Sequence, residues 1–182
     1  MARLLLAAAS LNVWVLVGIL AAAFAVQLIA GEPLCVAQRI ALMMCALGPL
    51  HMLASARDGA LAARDVAAGC GITVISALVG AAISARQVLL HILPGDAGFG
   101  SPLLGLHLYT WCLIAFVCQI AASGAMLIAA AWLKEERIRW RFGNVTAGGF
   151  VIVVVANLLS VIAEAGLNWD LPSNPVGYLL FK

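Results

Sequence analysis

Charge is what this chain has least of. Ten Lys or Arg and eight Asp or Glu make up only 10% of its 182 residues. A water-soluble domain has roughly a quarter of its residues charged, so this surface cannot stay hydrated and a soluble globular protein is excluded. Net charge is only +2, which gives no case for a nucleic-acid partner. Three motif absences narrow the chemistry further. There is no Cys-x-x-Cys, no Walker phosphate loop and no His-Glu-x-x-His, so no dithiol, nucleotide or zinc-protease signature is present. The chain also lacks a 20–50-residue repeat and any low-complexity tract, which excludes a solenoid or a linker.

What is present is apolar length. Hydrophobic residues make up 65% of the chain and mean hydropathy is +1.10. The bilayer must supply the solvent that the surface does not recruit from water. We therefore read an all-α integral membrane helical bundle, a single domain over 1–182. Five intervals run free of Asp, Glu, Lys and Arg for about the 20 residues that a spanning helix needs. They are Leu4 to Gly31, Ile40 to Ala56, Val66 to Ala85, Ala97 to Leu133 and Phe142 to Ala163. The fourth opens on GFGSPLLGLH, a loop composition, so its helix is placed from Leu106 or His107. The opening MARLLLAAAS has the look of a signal peptide. Its apolar run continues to Ala30, too long for such a leader, and it is read as the first spanning helix.

Basic residues give the expected orientation. With the N-terminus cytoplasmic, that side holds Arg3, Arg57, Arg64, Lys134, Arg137, Arg139 and Arg141, against Arg39, Arg86 and Lys182 outside. Seven against three predicts an inside N-terminus and, with five helices, an outside C-terminus. ARDGALAARD is then an inner turn, and KEERIRWRFGN an inner interfacial anchor. The outer connection between helices three and four is apolar apart from its Pro94-Gly95-Asp96 turn. It is expected to lie on the membrane surface, with Tyr109 and Trp111 at the headgroup boundary.

The unusual chemistry sits on the outer side. In GEPLCVAQRIALMM, Cys35 opens the second helix, where unpaired N–H groups favour an anion, and Arg39 follows one turn later on the same face. Both effects favour the thiolate, the reactive form of cysteine; the alternative is a small packing residue. Arg39 reads either as a snorkelling anchor or as one of two outer arginines, with Arg86, that hold a polar ligand head. Each of the two neighbours a glutamine, Gln38 and Gln87. His91 and His107 flank the outer connection with Asp96 between them, a set suited to proton carriage, a transition metal or a bis-histidine haem. Glu164 is the one acid near a span interior, a candidate by position. His51 shows no partner in the sequence. Cys45, Cys70, Cys112 and Cys118 fall inside helices; Cys112 and Cys118, six apart, do not share a face.

A short outer loop, then a cysteine, two residues, and Gln-Arg opening the second helix resembles the disulfide bond formation protein B (DsbB) family. CVAQR carries most of the resemblance, the Ala85-Arg86-Gln87 end of helix three supports it, and it covers about residues 10–133. It implies a four-helix core, to which a fifth helix and outer tail over about 142–182 are added. It also implies a bacterial inner-membrane thiol:quinone oxidoreductase that takes electrons from a periplasmic thiol protein and passes them to ubiquinone or menaquinone. By position, Cys35 matches the second cysteine of that family's first pair, the catalytic residue here. Arg39 matches the arginine beside the quinone ring, and the cofactor-binding set becomes Gln38, Arg39, Arg86 and His91, with no metal. Glu32 stands where the first cysteine of the pair belongs, and the stretch from His91 to His107 has no cysteine. A single thiol forms a mixed disulfide but cannot by itself store two electrons. Three expectations result. The first is a DsbB-like quinone protein with degenerate disulfide chemistry, Cys112 being the other thiol to consider. The second is a redox-inactive accessory or assembly subunit of a larger membrane complex. The third is a small haem or metal membrane protein using His91 and His107.

Overall fold

The computed structural model describes every residue outside 31–34, 94, 97, 101, 135–139, 141 and 166–182. Its elements are α1 (Ala2–Ala30), α2 (Val36–Asp58), α3 (Ala63–Leu90), α4 (Leu108–Ala130) and α5 (Gly143–Ala165). All five are long and apolar enough to cross a membrane, and no strand occurs among the described residues. The all-α membrane bundle expected from composition is the fold.

α2 and α3 outrun their charge-free intervals at both ends. α2 begins four residues before Ile40 and takes Arg39 into its first turn, and α3 includes Arg64 and Asp65 at one end and Arg86 at the other. Long charged side chains reach beyond a helix end, so a charge does not mark where the backbone stops being helical. At the start of α3 the Asp65 carboxylate accepts the Ala62 N–H at 2.9 Å. This is half of a capping box, since alanine brings no oxygen of its own to the N-cap.

Water cannot satisfy backbone groups inside a bilayer, so helices in it pack through small residues and exchange hydrogen bonds with one another. α2 and α3 approach at Gly48 and Gly69. A methyl group built on either would collide with the other's carbonyl oxygen. At the same level Pro49 lies inside α2. Proline has no N–H, so the carbonyl four residues earlier, that of Cys45, has no helical donor. The Thr73 hydroxyl of α3 supplies one, donating to the Cys45 carbonyl at 3.0 Å. α4 lies mainly along α3, with the buried Phe116 ring over Gly80. α5 packs on α1 and α2 instead, where Gly149 admits the Trp14 ring.

The buried apolar residues form two groups. One centres on Leu16, Leu20, Leu42 and Phe116. The other lies toward the start of α1 and centres on Leu6, Met52, Leu61 and Val66. Near that second group the Trp140 indole donates to Ser10 Oγ at 3.0 Å, tying the segment after α4 back to α1. A cavity of about 10 Å³ lies among Asn12, Thr73, Ser123 and their neighbours, about what one water molecule occupies.

Candidate functional site

The candidate site lies where α1, α3 and α5 end and α2 and α4 begin. Cys35 is the N-cap of α2 and offers no side-chain cap to the helix. Its carbonyl accepts the Arg39 N–H at 3.1 Å, closing the first turn. Two successive side chains of that turn are fully buried and diverge, as neighbours on a helix must.

Arg39 is only 1% exposed and is the largest fully buried side chain described. Its Nη1 donates to Gln27 Oε1 of α1 at 2.9 Å. The same oxygen accepts the Ser160 hydroxyl of α5 at 2.7 Å. A guanidinium withdrawn from water is strongly destabilising unless polar partners surround it. An interfacial anchor would keep its charged head exposed, so burial removes the snorkelling reading of Arg39. Gln38, at 0% exposure, turns to α3, where its Nε2 donates to Ser84 Oγ at 2.7 Å. Its Oε1 has no hydrogen-bond partner among the described residues. Serine both donates and accepts, so either orientation of the Gln38 amide leaves one polar atom for another group.

The second arginine expected here is placed differently. Arg86 is exposed, while Gln87 beside it is partly buried with Oε1 unpartnered. It is Ser84, one of the small residues of that helix end, that meets Gln38. Cys35 is half-buried and Cys112, in the first turns of α4, is buried; both are free thiols.

Beside this end, the connection from α3 to α4 builds an aromatic stack. His91 caps α3, and its Nδ1 donates to the Asp96 carboxylate at 3.2 Å. The Gly98 N–H donates to Asp96 Oδ1 at 2.8 Å. That backbone bond first, and the His91 ring second, hold the Asp96 carboxyl below the usual carboxylate range. His107 Nδ1 donates to the Gly100 carbonyl at 3.0 Å, fixing its tautomer. Its ring stacks on Tyr109 at 5.3 Å and 5°, and His91 approaches the same tyrosine at 5.6 Å. Tyr109 is buried, 7% exposed, with the two imidazole rings against it. Trp111 is partly exposed and donates to the Leu103 carbonyl at 2.9 Å. Among the described residues no three His, Cys, Asp or Glu side chains are grouped to hold a metal ion.

Gln27, Ser84 and Ser160 were not singled out from the sequence. One signal was available: each is a polar residue inside a long apolar run, where an unpaired hydrogen-bonding group is costly. Glu32 and the tail DLPSNPVGY lie outside the described residues, as does the Glu164 side chain.

The model of one protein family, disulfide bond formation protein DsbB, matches residues 3–101. No curated protein and no solved structure matches the chain. The matched residues run from the start of α1 through α2 and α3 into the connection that holds His91 and Asp96, more than half of the 182 residues. With Cys35, Gln38 and Arg39 inside that match, the chain belongs to the DsbB family of membrane proteins.

Proposed function

We propose that this chain holds a quinone-type ring at the Arg39 end of the bundle and carries incomplete disulfide chemistry. The observation that carries the reading is the burial of Arg39 together with the open polar atom of Gln38. A quinone is an apolar ring with two carbonyl oxygens. It suits a site with a buried cationic donor, one further polar atom, and apolar walls of the kind that Leu42 and Phe116 supply. When bound, such a ring would act as an acceptor of two electrons and two protons. Arg39 would donate to a ring oxygen, and Gln38, braced by Ser84, would offer its other polar atom to the ring.

Two sequence features support the reading of incomplete thiol chemistry. Glu32 replaces the partner thiol of Cys35, and no cysteine between His91 and His107 is there to receive a partner protein's electrons. The setting proposed is a bacterial inner membrane with the N-terminus cytoplasmic and the Arg39 end periplasmic, on the seven-to-three distribution of basic residues. Lipid surrounds the bundle. A periplasmic thiol protein or the subunits of a larger membrane complex are the partners consistent with the family.

The test is the quinone content of full-length protein purified from membranes. A hydrogen bond from a charged donor contributes about 1.5–3 kcal/mol, so Arg39→Ala should weaken quinone binding roughly ten- to a hundredfold. Unchanged quinone in a folded Arg39→Ala protein would remove the reading.

A further inference from the structure

α5 lies beyond the residues that match the family, yet it reaches the Arg39 site. Some hydroxyls buried in these helices bond back along their own helix. Ser76 donates to the Ile72 carbonyl and Thr146 to the Phe142 carbonyl, each four residues earlier. That is the usual habit of serine and threonine within a helix. Ser160 departs from it. Its hydroxyl crosses to α1 and donates at 2.7 Å to Gln27 Oε1, the same oxygen that accepts from Arg39. Gln27 and Ser160 are 3% and 8% exposed.

Two donors on one amide oxygen use both of its lone pairs and fix which way the amide faces. A reversed Gln27 would turn its NH₂ group toward both the guanidinium and the hydroxyl. The guanidinium has no acceptor, so Arg39 sets which way the amide faces, and the Ser160 hydroxyl, donating to the same oxygen, holds that oxygen in place. Three residues before Ser160, on the same side of α5, Asn157 is fully buried, with Nδ2 donating to the Val153 carbonyl and Oδ1 unpartnered. α5 thus brings polar groups to this end.

We propose that α5 is a positioning element of the site: Ser160, acting through Gln27, holds the Arg39 guanidinium in the orientation that binds a ring carbonyl. The inference rests on the quinone reading, and the variants separate the two. Full-length protein in lipid nanodiscs is titrated with a short-tailed ubiquinone, followed by quenching of tryptophan fluorescence. Loss of one neutral hydrogen bond should make Ser160→Ala bind about three- to tenfold more weakly, while Ser160→Thr, which keeps the hydroxyl, stays within about twofold of wild type. Residues in one network are non-additive, so Ser160→Ala should add less than about twofold to an Arg39→Ala background. Thermal unfolding of each variant identifies any that fails to fold. If Ser160→Ala does, Ser160→Cys carries the same comparison, because a thiol is a poor donor. Wild-type affinity in Ser160→Ala beside weakened Arg39→Ala overturns the inference and leaves the quinone reading standing. So does a Ser160→Ala effect that persists in full without Arg39. Unchanged affinity in Arg39→Ala removes the quinone reading and the inference with it.

Discussion

The Thr73 hydroxyl donates to the Cys45 carbonyl, the oxygen that Pro49 leaves without a helical donor. One residue on α3 thus completes the hydrogen bonding of a break in α2. Removing the hydroxyl while keeping the shape, as in Thr73→Val, should destabilise the folded protein by about 0.5–2 kcal/mol, the range of interhelical hydrogen bonds in membranes. Pro49→Ala restores the missing N–H, so in that background the cost of Thr73→Val should fall. Thermal unfolding of the four proteins in one detergent measures the difference. Equal costs in both backgrounds would show that the two features are independent.

Gly80 and Gly71 lie on α3 with opposite expectations. A methyl on Gly80 meets the Phe116 ring, whereas one on Gly71 meets nothing within 4 Å. Gly80→Ala should therefore destabilise by about 1–3 kcal/mol through forced repacking of α3 against α4. Gly71→Ala should be neutral or stabilising by up to about 1 kcal/mol from helix propensity. Chemical or thermal unfolding of the two variants side by side distinguishes them. The same sign for both would contradict the packing described.

The Asp96 carboxyl, held below its ordinary value of 3.8 by the Gly98 N–H and His91, sets an acid limit on the connection between α3 and α4. Folding favours its ionised form, so its contribution is fully present above the ordinary value and is lost as pH falls through the lowered one. Fluorescence of a variant that keeps only Trp111, whose indole bonds to Leu103 in this connection, should stay constant from about pH 7 to 5 and change only below about pH 4. Asp96→Asn should remove that acid transition. A transition centred near pH 6 would point to a histidine instead.

Cys35 is half-buried, Cys112 is buried, and no thiol of the chain is paired. Cys35→Ser should keep the fold and any bound quinone, and wild type should not oxidise a periplasmic dithiol protein at a useful rate. Expression in cells lacking their own disulfide-forming membrane enzyme measures this. Cys35-dependent rescue of disulfide formation would contradict the degenerate reading and bring Cys112 forward as the second thiol.

The bundle was legible because bilayer solvation leaves one plain trace, long runs without charge, and all five runs are helices. The start of α4 was readable to within two residues, since Gly and Pro mark the loop before it. The site was legible only in part. Cys35, Gln38 and Arg39 could be found by spacing at a helix start, but an arginine at that position has the same spacing whether it faces lipid headgroups or Gln27. Burial depends on what α1 and α5 present to it, and no local pattern records that. Arg86 shows the converse: in a matching Arg-Gln pair at the same end the arginine is exposed, and Ser84 is the residue that meets Gln38.

The bond between Ser160 and Gln27 joins residues 133 positions apart, and that separation has a meaning in time. At roughly 5–20 residues per second of synthesis, Gln27 is made about 7–27 s before Ser160. During that interval Gln27 lacks the Ser160 donor, in a solvent that offers no substitute. Insertion of α5 then completes the Ser160–Gln27 pair. A ribosome that stalls before it leaves four helices in the membrane with an unfinished polar cluster, the kind of lesion by which a quality-control protease can recognise an incomplete chain.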